Sequence, residues 1–154
     1  MREILFRGKR KDNGEWIENH ILVELRDGQK YIPNNFAPSG LKIDENGNRV
    51  SFVALFHEVI PETVGQYIGA NDKNHKEIYE GDIVKTCDNH IYRIKWDNQR
   101  AMFYLRNDIT HASADFYHYF ASDLEIIGNI TDNPELLKGG ENNDEFRKNK
   151  AYER

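Results

Sequence analysis

Pairs of Asn, Asp and Gly recur between short runs of β-branched and aromatic residues, a spacing that leaves little room for long helices. Asp12-Asn13-Gly14 separates EILFRGK from EWIE, and Asp27-Gly28 lies between HILVEL and QKYI. Asn46-Gly47 stands between LKI and RVSFVALF, Asp88-Asn89 between DIVKT and IYRIKW, and Asp97-Asn98 precedes AMFYL. Tight hairpin turns need residues that tolerate positive φ, which Gly adopts without a Cβ penalty and Asn or Asp at small cost. Repeated signals of this kind predict an antiparallel, mainly β protein. Alternation agrees. In IYRIKW, Ile91, Arg93 and Lys95 fall on one face and Tyr92, Ile94 and Trp96 on the other, so one side is core and the other mostly solvent.

Helical signals are few. Phe52 to Ile60 is apolar enough for either element, and its Val and Phe content favours a strand. Asn107 to Phe120 has weaker punctuation and room for a helical turn. Asn133 followed by Pro134-Glu135-Leu136-Leu137 reads as a short helix, with Asn133 as N-cap and Pro134 at the first helical position. The expected organisation is two small barrel-like or sandwich units built from antiparallel hairpins. An N-terminal β unit spans residues 1–60, a C-terminal β unit carrying the EGDIV segment spans 61–138, and a polar tail covers 139–154. Pro61-Glu62-Thr63 is the expected junction. Units of about 60 residues bury only about 60% of their surface alone, so the two are expected to share an interface.

Only 38% of residues are hydrophobic while aromatics make up 12%, so the expected core fills its space with a few large rings. No apolar run approaches the length of a membrane-spanning helix, and the first residues show no apolar segment of a secretory signal. A single cysteine, Cys87, excludes a disulfide framework and a CxxC zinc site, and with the missing signal it points to a reducing cytoplasm. The net charge of -5 is uneven. Arg2, Arg7, Lys9, Arg10 and Lys11 against Glu3 give the first eleven residues a charge of +4, while the body from Asp12 to Gly140 is strongly acidic. An acidic body repels a phosphate backbone, so nucleic-acid binding would have to use Arg7, Lys9, Arg10 and Lys11.

Chemistry-bearing constellations are weak. None of the six histidines falls in HExxH spacing, and no metal or cofactor is expected. Glu80 and Asp82 flank Gly81 and could serve as the paired carboxylates of a hydrolase, but Asp82 at a strand entry is the more ordinary turn-capping residue. Cys87 lies near His90 with Asp88 between, an unfavourable setting for a thiolate nucleophile. No serine stands in GxSxG, and no glycine-rich phosphate loop occurs. Phe116-Tyr117-His118-Tyr119-Phe120 is dense enough to be a base-stacking platform. As a strand it would put Phe116, His118 and Phe120 on one side, and burial in a core or subunit interface is the favoured reading.

Three blocks, MREILFRGKRKDNGEWIE, PETVGQYIGANDKNHKEIYEGDIVK and LEIIGNITDNPELL, resemble in order and spacing the YopX family of phage and prophage proteins. The most specific residues are Gly65 and Tyr67, the Asp72-Lys73-Asn74 turn, and Tyr79, Glu80, Gly81 and Asp82. His75 stands where the family usually has glycine, which implies that this turn takes its positive φ at Asn74. The resemblance implies a phage or prophage accessory protein in a bacterial cytoplasm, with no established enzymatic activity. It also implies a multi-chain assembly. A largely helical fold, which the family would bring, conflicts with the hairpin punctuation, and the GDIV strand entry is instead that of an SH3-like barrel. The expected function is therefore a non-enzymatic homo-oligomer that binds a phage or host protein, with no membrane partner. The alternative is a nucleic-acid-binding module using the basic N-terminus and aromatic strand faces.

Overall fold

Three hairpin loops of the chain close by the same pair of backbone hydrogen bonds. Leu25 and Gln29, Asp72 and Lys76, and Thr86 and His90 each form a closing N–H to C=O bond of 2.8 to 2.9 Å. Inside each loop a bond of 3.0 Å completes a turn, and the residue before the closing one is forced to positive φ. That residue is Gly28 (φ 87°), His75 (φ 63°) and Asn89 (φ 66°). The positive φ expected at Asn74 thus belongs to His75. Loop position decides it, whatever side chain stands there.

The computed structural model describes residues 3–33, 56–116 and 119–138. The Asn46-Gly47 turn, the first half of the Phe52–Ile60 run, Tyr117, His118 and the tail from 139 lie outside the described residues. The chain divides into two compact units, Met1–Gly69 and Ala70–Arg154. It is mainly β, and every described strand pairing is antiparallel.

In the first unit, β1 (Phe6–Lys9) and β2 (Trp16–Asn19) form a hairpin in the register Phe6↔Asn19 to Lys9↔Trp16. β3 (Val23–Glu24), β4 (Lys30–Pro33) and β5 (Phe56–Val59) make a three-stranded sheet. Beyond β1, Arg10 bridges to Val59, and Lys11 N–H donates to Glu58 O at 2.9 Å. The two strands approach so closely that a Cβ on Gly8 would lie 3.0 Å from Val59 Cβ. Ile32 and Val59 are fully buried. Pro61–Thr63 is a short 3-10 helix leading into β6 (Gly65–Asn71), whose Gly65 and Gln66 pair with β1.

The second unit begins in the last residues of β6, which turn back as β7 (Glu77–Tyr79). Its sheet runs in the order β11 (Ser113–Ala114), β10 (Met102–Arg106), β9 (Ile91–Asp97), β8 (Asp82–Lys85), β12 (Glu125–Asn129). This sheet has two ends and does not close on itself among the described residues, so the barrel option is not realised. β12 carries a bulge between Ile126 and Gly128. Tyr92 and Ile94 are buried and Arg93 and Lys95 half-exposed, as the alternation requires, but Trp96, expected on the same face as Tyr92 and Ile94, is exposed near the strand end.

Several local expectations change. Pro134–Leu137 is a 3-10 helix, but the Asn133 side chain makes no cap bond to it. Its Oδ1 instead faces back to Asn129 N–H at 3.4 Å, held over the Cα of Gly128. The aromatic run is not a strand where it is described. Tyr119 packs its ring 5.9 Å from that of Tyr92, whereas Phe120 is 69% exposed. The core is not chiefly aromatic either. Its fully buried large apolar side chains are Ile32, Ile78, Ile83, Ile94, Leu105, Leu124, Val59 and Val84. Tyr67, Tyr79, Tyr92 and Phe103 are buried beside them, and the Tyr79 hydroxyl still reaches Glu77.

Candidate functional site

The EGDIV segment makes a tight connection from β7 to β8. Gly81 turns at φ 87°, donates its N–H to Ile94 O at 2.9 Å and accepts from Ile130 N–H at 2.9 Å. Asp82, 1% exposed, accepts the Tyr79 N–H on Oδ2 at 2.8 Å, and the Tyr79 hydroxyl donates to Glu77 Oε2 at 2.7 Å. Glu80 Oε1 accepts from the Trp96 N–H at 3.4 Å. Both carboxylates of the suspected pair thus receive backbone N–H groups. In the first unit, Gly65 is buried opposite Arg7, and Tyr67 donates its N–H to Leu5 O at 2.9 Å.

Asp72, singled out in the sequence only as the start of a turn, accepts three backbone N–H groups. Oδ1 accepts from Asn74 N–H at 2.8 Å and Lys76 N–H at 2.9 Å, and Oδ2 from Ile126 N–H at 3.1 Å. Burial acts to raise its pKa, but these three N–H donors and the nearby Lys76 hold it below the usual aspartate value. The readable signal is an Asp two residues before an Asn at a loop start, the pattern of an Asx-turn.

Among the described N-terminal cations, Arg10 and Lys11 are paired with acids. Arg10 Nη2 lies 2.6 Å from Asp12 Oδ2, and its Nη1 3.7 Å from Glu15 Oε2. Lys11 Nζ lies 2.7 Å from Glu58 Oε1. The Arg7 guanidinium sits 5.0 Å over the Trp16 ring, and the Lys9 N–H donates to Thr63 Oγ1 at 2.8 Å. Asp12, Glu15 and Glu58 thus neutralise much of the charge that the first eleven residues carry.

A polar cluster surrounds the β8–β9 loop. The Thr86 hydroxyl donates to Asp88, whose Oδ2 lies 2.8 Å from His90 Nδ1 and accepts from the Tyr119 hydroxyl at 3.2 Å. Burial works against the Asp88 carboxylate, but Thr86 and His90 lower its pKa on balance. Burial, then Tyr92 and Asp88, hold the Tyr119 hydroxyl well above the usual phenol range. Cys87 is exposed on this loop. No group of three His, Cys, Asp or Glu able to hold a metal stands together among the described residues.

The β8–β10 sheet has two unlike faces. Trp96 stands opposite Phe103, their rings 4.9 Å apart, and Ile94 opposite Leu105; Ile94, Leu105 and Phe103 are buried, whereas Trp96 is exposed. On the other side Arg93 stands opposite Arg106 and Lys95 opposite Tyr104. Arg93 Nη2 donates to Asp108 Oδ1 at 3.1 Å. Arg106 Nη1 donates to His111 O at 2.6 Å and to Ser113 Oγ at 3.3 Å, and its Nη2 lies 3.2 Å from His111 Nδ1. The Arg100 guanidinium lies 5.5 Å from the centre of the Tyr104 ring and pairs with Asp97 at 2.8 Å. Alternation in IYRIKW located Arg93 and Lys95. The strand register that adds Tyr104 and Arg106 needed the fold.

Comparison with known proteins gives a family match over residues 5–138, described as YopX protein. Among solved structures, the chain is similar to the crystal structure of protein EF1440 from Enterococcus faecalis. The two are 22% identical with a TM-score of 0.49, over 87% of this chain and 97% of that one. None of the curated proteins compared with the chain matches it. No helix among the described residues is long and apolar enough to cross a membrane.

Proposed function

The chain belongs to the YopX family, and from that membership we propose a phage or prophage accessory protein of the bacterial cytoplasm that works by binding rather than catalysis. It acts as a homo-oligomer that engages a phage or host protein. The observation that carries the non-catalytic reading is the burial of Asp82 and Asp72 as acceptors for backbone N–H groups. A general acid or base needs a carboxyl free to meet substrate, and these two are committed to the fold.

The oligomeric part is supported by apolar surface on the first unit. Ile4 and Ile21 are both about half exposed, at 51% and 46%. The His20 ring reaches Ile4 O at 3.0 Å and approaches Glu3 Oε1 at 3.8 Å, so polar groups lie beside the exposed Ile4. Exposed apolar side chains with polar groups beside them fit a subunit contact. Light scattering during size-exclusion chromatography tests this directly. A mass at least twice the 18.1 kDa of the chain is expected, and a clean monomer at high concentration overturns the oligomer. A gene position outside any block of phage genes would overturn the accessory role.

A further inference from the structure

We propose that the outer face of the β9–β10 hairpin binds single-stranded nucleic acid, with Lys95 and Arg106 meeting phosphates and the Tyr104 ring stacking on a base. This rests on the reading of the protein as a binding module, but not on its being an oligomer.

The face is cationic within a chain of net charge -5. Its charged residues are Arg93, Lys95, Arg100 and Arg106 against Asp97 and Asp108. Asp108 partners Arg93 and Asp97 partners Arg100. Lys95 makes no ion pair among the described residues, and the partners of Arg106 are a carbonyl, an imidazole and a hydroxyl. Two positive charges thus remain without an acid, on neighbouring strands of one face.

Arg93 and Arg106 stand directly opposite each other, and the Asp108 carboxylate against Arg93 offsets the like-charge repulsion of such a pair. Tyr104, directly opposite Lys95 and half-exposed, supplies the aromatic surface, and the Arg100 guanidinium beside it adds a planar cation. Cations beside a ring form the elementary unit of single-strand recognition. In a duplex the bases are already stacked on each other and leave the ring no partner. An acidic protein would use the charges but not the ring.

The test is fluorescence anisotropy with labelled oligothymidine and oligouridine of about 20 nucleotides at low salt, against a duplex and heparin as competitors. Expected is binding to the single strands that weakens with salt. Lys95→Ala and Arg106→Gln should each flatten the logarithmic salt slope by about 0.7, the value for one phosphate contact on a single strand. Tyr104→Leu should weaken binding about 5-fold or more at unchanged slope. Lys11→Ala, in the other unit and paired to Glu58, should change neither. Thermal melting of each variant identifies any that fails to fold, in which case Lys95→Gln, Arg106→Ala or Tyr104→Val replaces it at its own position. Absence of binding at low salt overturns the proposal. So does a salt slope that Lys95 and Arg106 variants leave unchanged, or a duplex or heparin bound as tightly as the single strand with Tyr104→Leu neutral. Light scattering reads the oligomer independently of every one of these outcomes.

Discussion

His75 holds a backbone conformation, φ 63°, that costs a side chain with a Cβ roughly 1 to 2 kcal/mol. The same loop position is filled by Gly28 and by Asn89 in the other two hairpins, both residues that tolerate it better. His75→Gly is therefore expected to raise stability by about 1 kcal/mol in urea titration, with the gain reduced by the added freedom of glycine in the unfolded chain. No gain, or a loss, would mean that the imidazole makes a contact worth as much as the strain. Gly128 is the opposite case. A Cβ there would lie 2.6 Å from Asn133 Oδ1, so Gly128→Ala must displace a side chain that otherwise reaches back to Asn129. A loss of about 1 to 3 kcal/mol is expected, and a neutral outcome would show that Asn133 moves aside freely. Residue identity alone announced neither position. Gly128 sits inside a strand, where only the bulge and the returning Asn133 explain it, and the role of His75 depends on which residues close the loop.

At the scale of elements, Asp72 latches the β6–β7 loop to β12 through three N–H acceptors. Its pKa is lowered in the folded chain, so the stability it contributes is present above its unfolded value near 3.9 and is lost as pH falls through the folded value. Asp72→Asn keeps the shape but removes the charge and turns a donor toward N–H groups. It should cost about 2 to 3 kcal/mol at neutral pH and flatten the acid limb of a stability profile below about pH 4. An unchanged acid limb in the variant would assign acid sensitivity to other carboxylates, Asp88 first. The hairpins themselves were legible, since Asp27-Gly28, Asp88-Asn89 and Asp97-Asn98 all fall at strand turns. The aromatic run was not, because alternation presumes a strand and the described residues around it form none. The Asn133 cap failed for a related reason: its side chain found a better-placed strand N–H across the turn.

For the molecule as a whole, the low apolar fraction is met by full burial of a small aliphatic set rather than by large rings, and several apolar side chains remain outside. The mainly antiparallel β class was readable because turn chemistry is local. The outer face of β9 and β10 was readable only in half, since a strand's own alternation says nothing of its neighbour's register. The exposed Ile4 and Ile21 were invisible, because their surroundings depend on where the ladder of β1 and β2 stops. They yield the last prediction. If they form the subunit contact, unfolding includes dissociation, and apparent stability must rise with protein concentration by about 1.4 kcal/mol per mole of dimer for each tenfold increase. Ile4→Ser with Ile21→Ser should abolish that dependence. It should cost the monomer little, because both side chains are already about half in water at 51% and 46% exposed. The measurement is the urea midpoint over a hundredfold range of concentration. A wild-type midpoint that does not move removes the oligomer, and a midpoint that still moves in the double variant places the contact elsewhere on the chain.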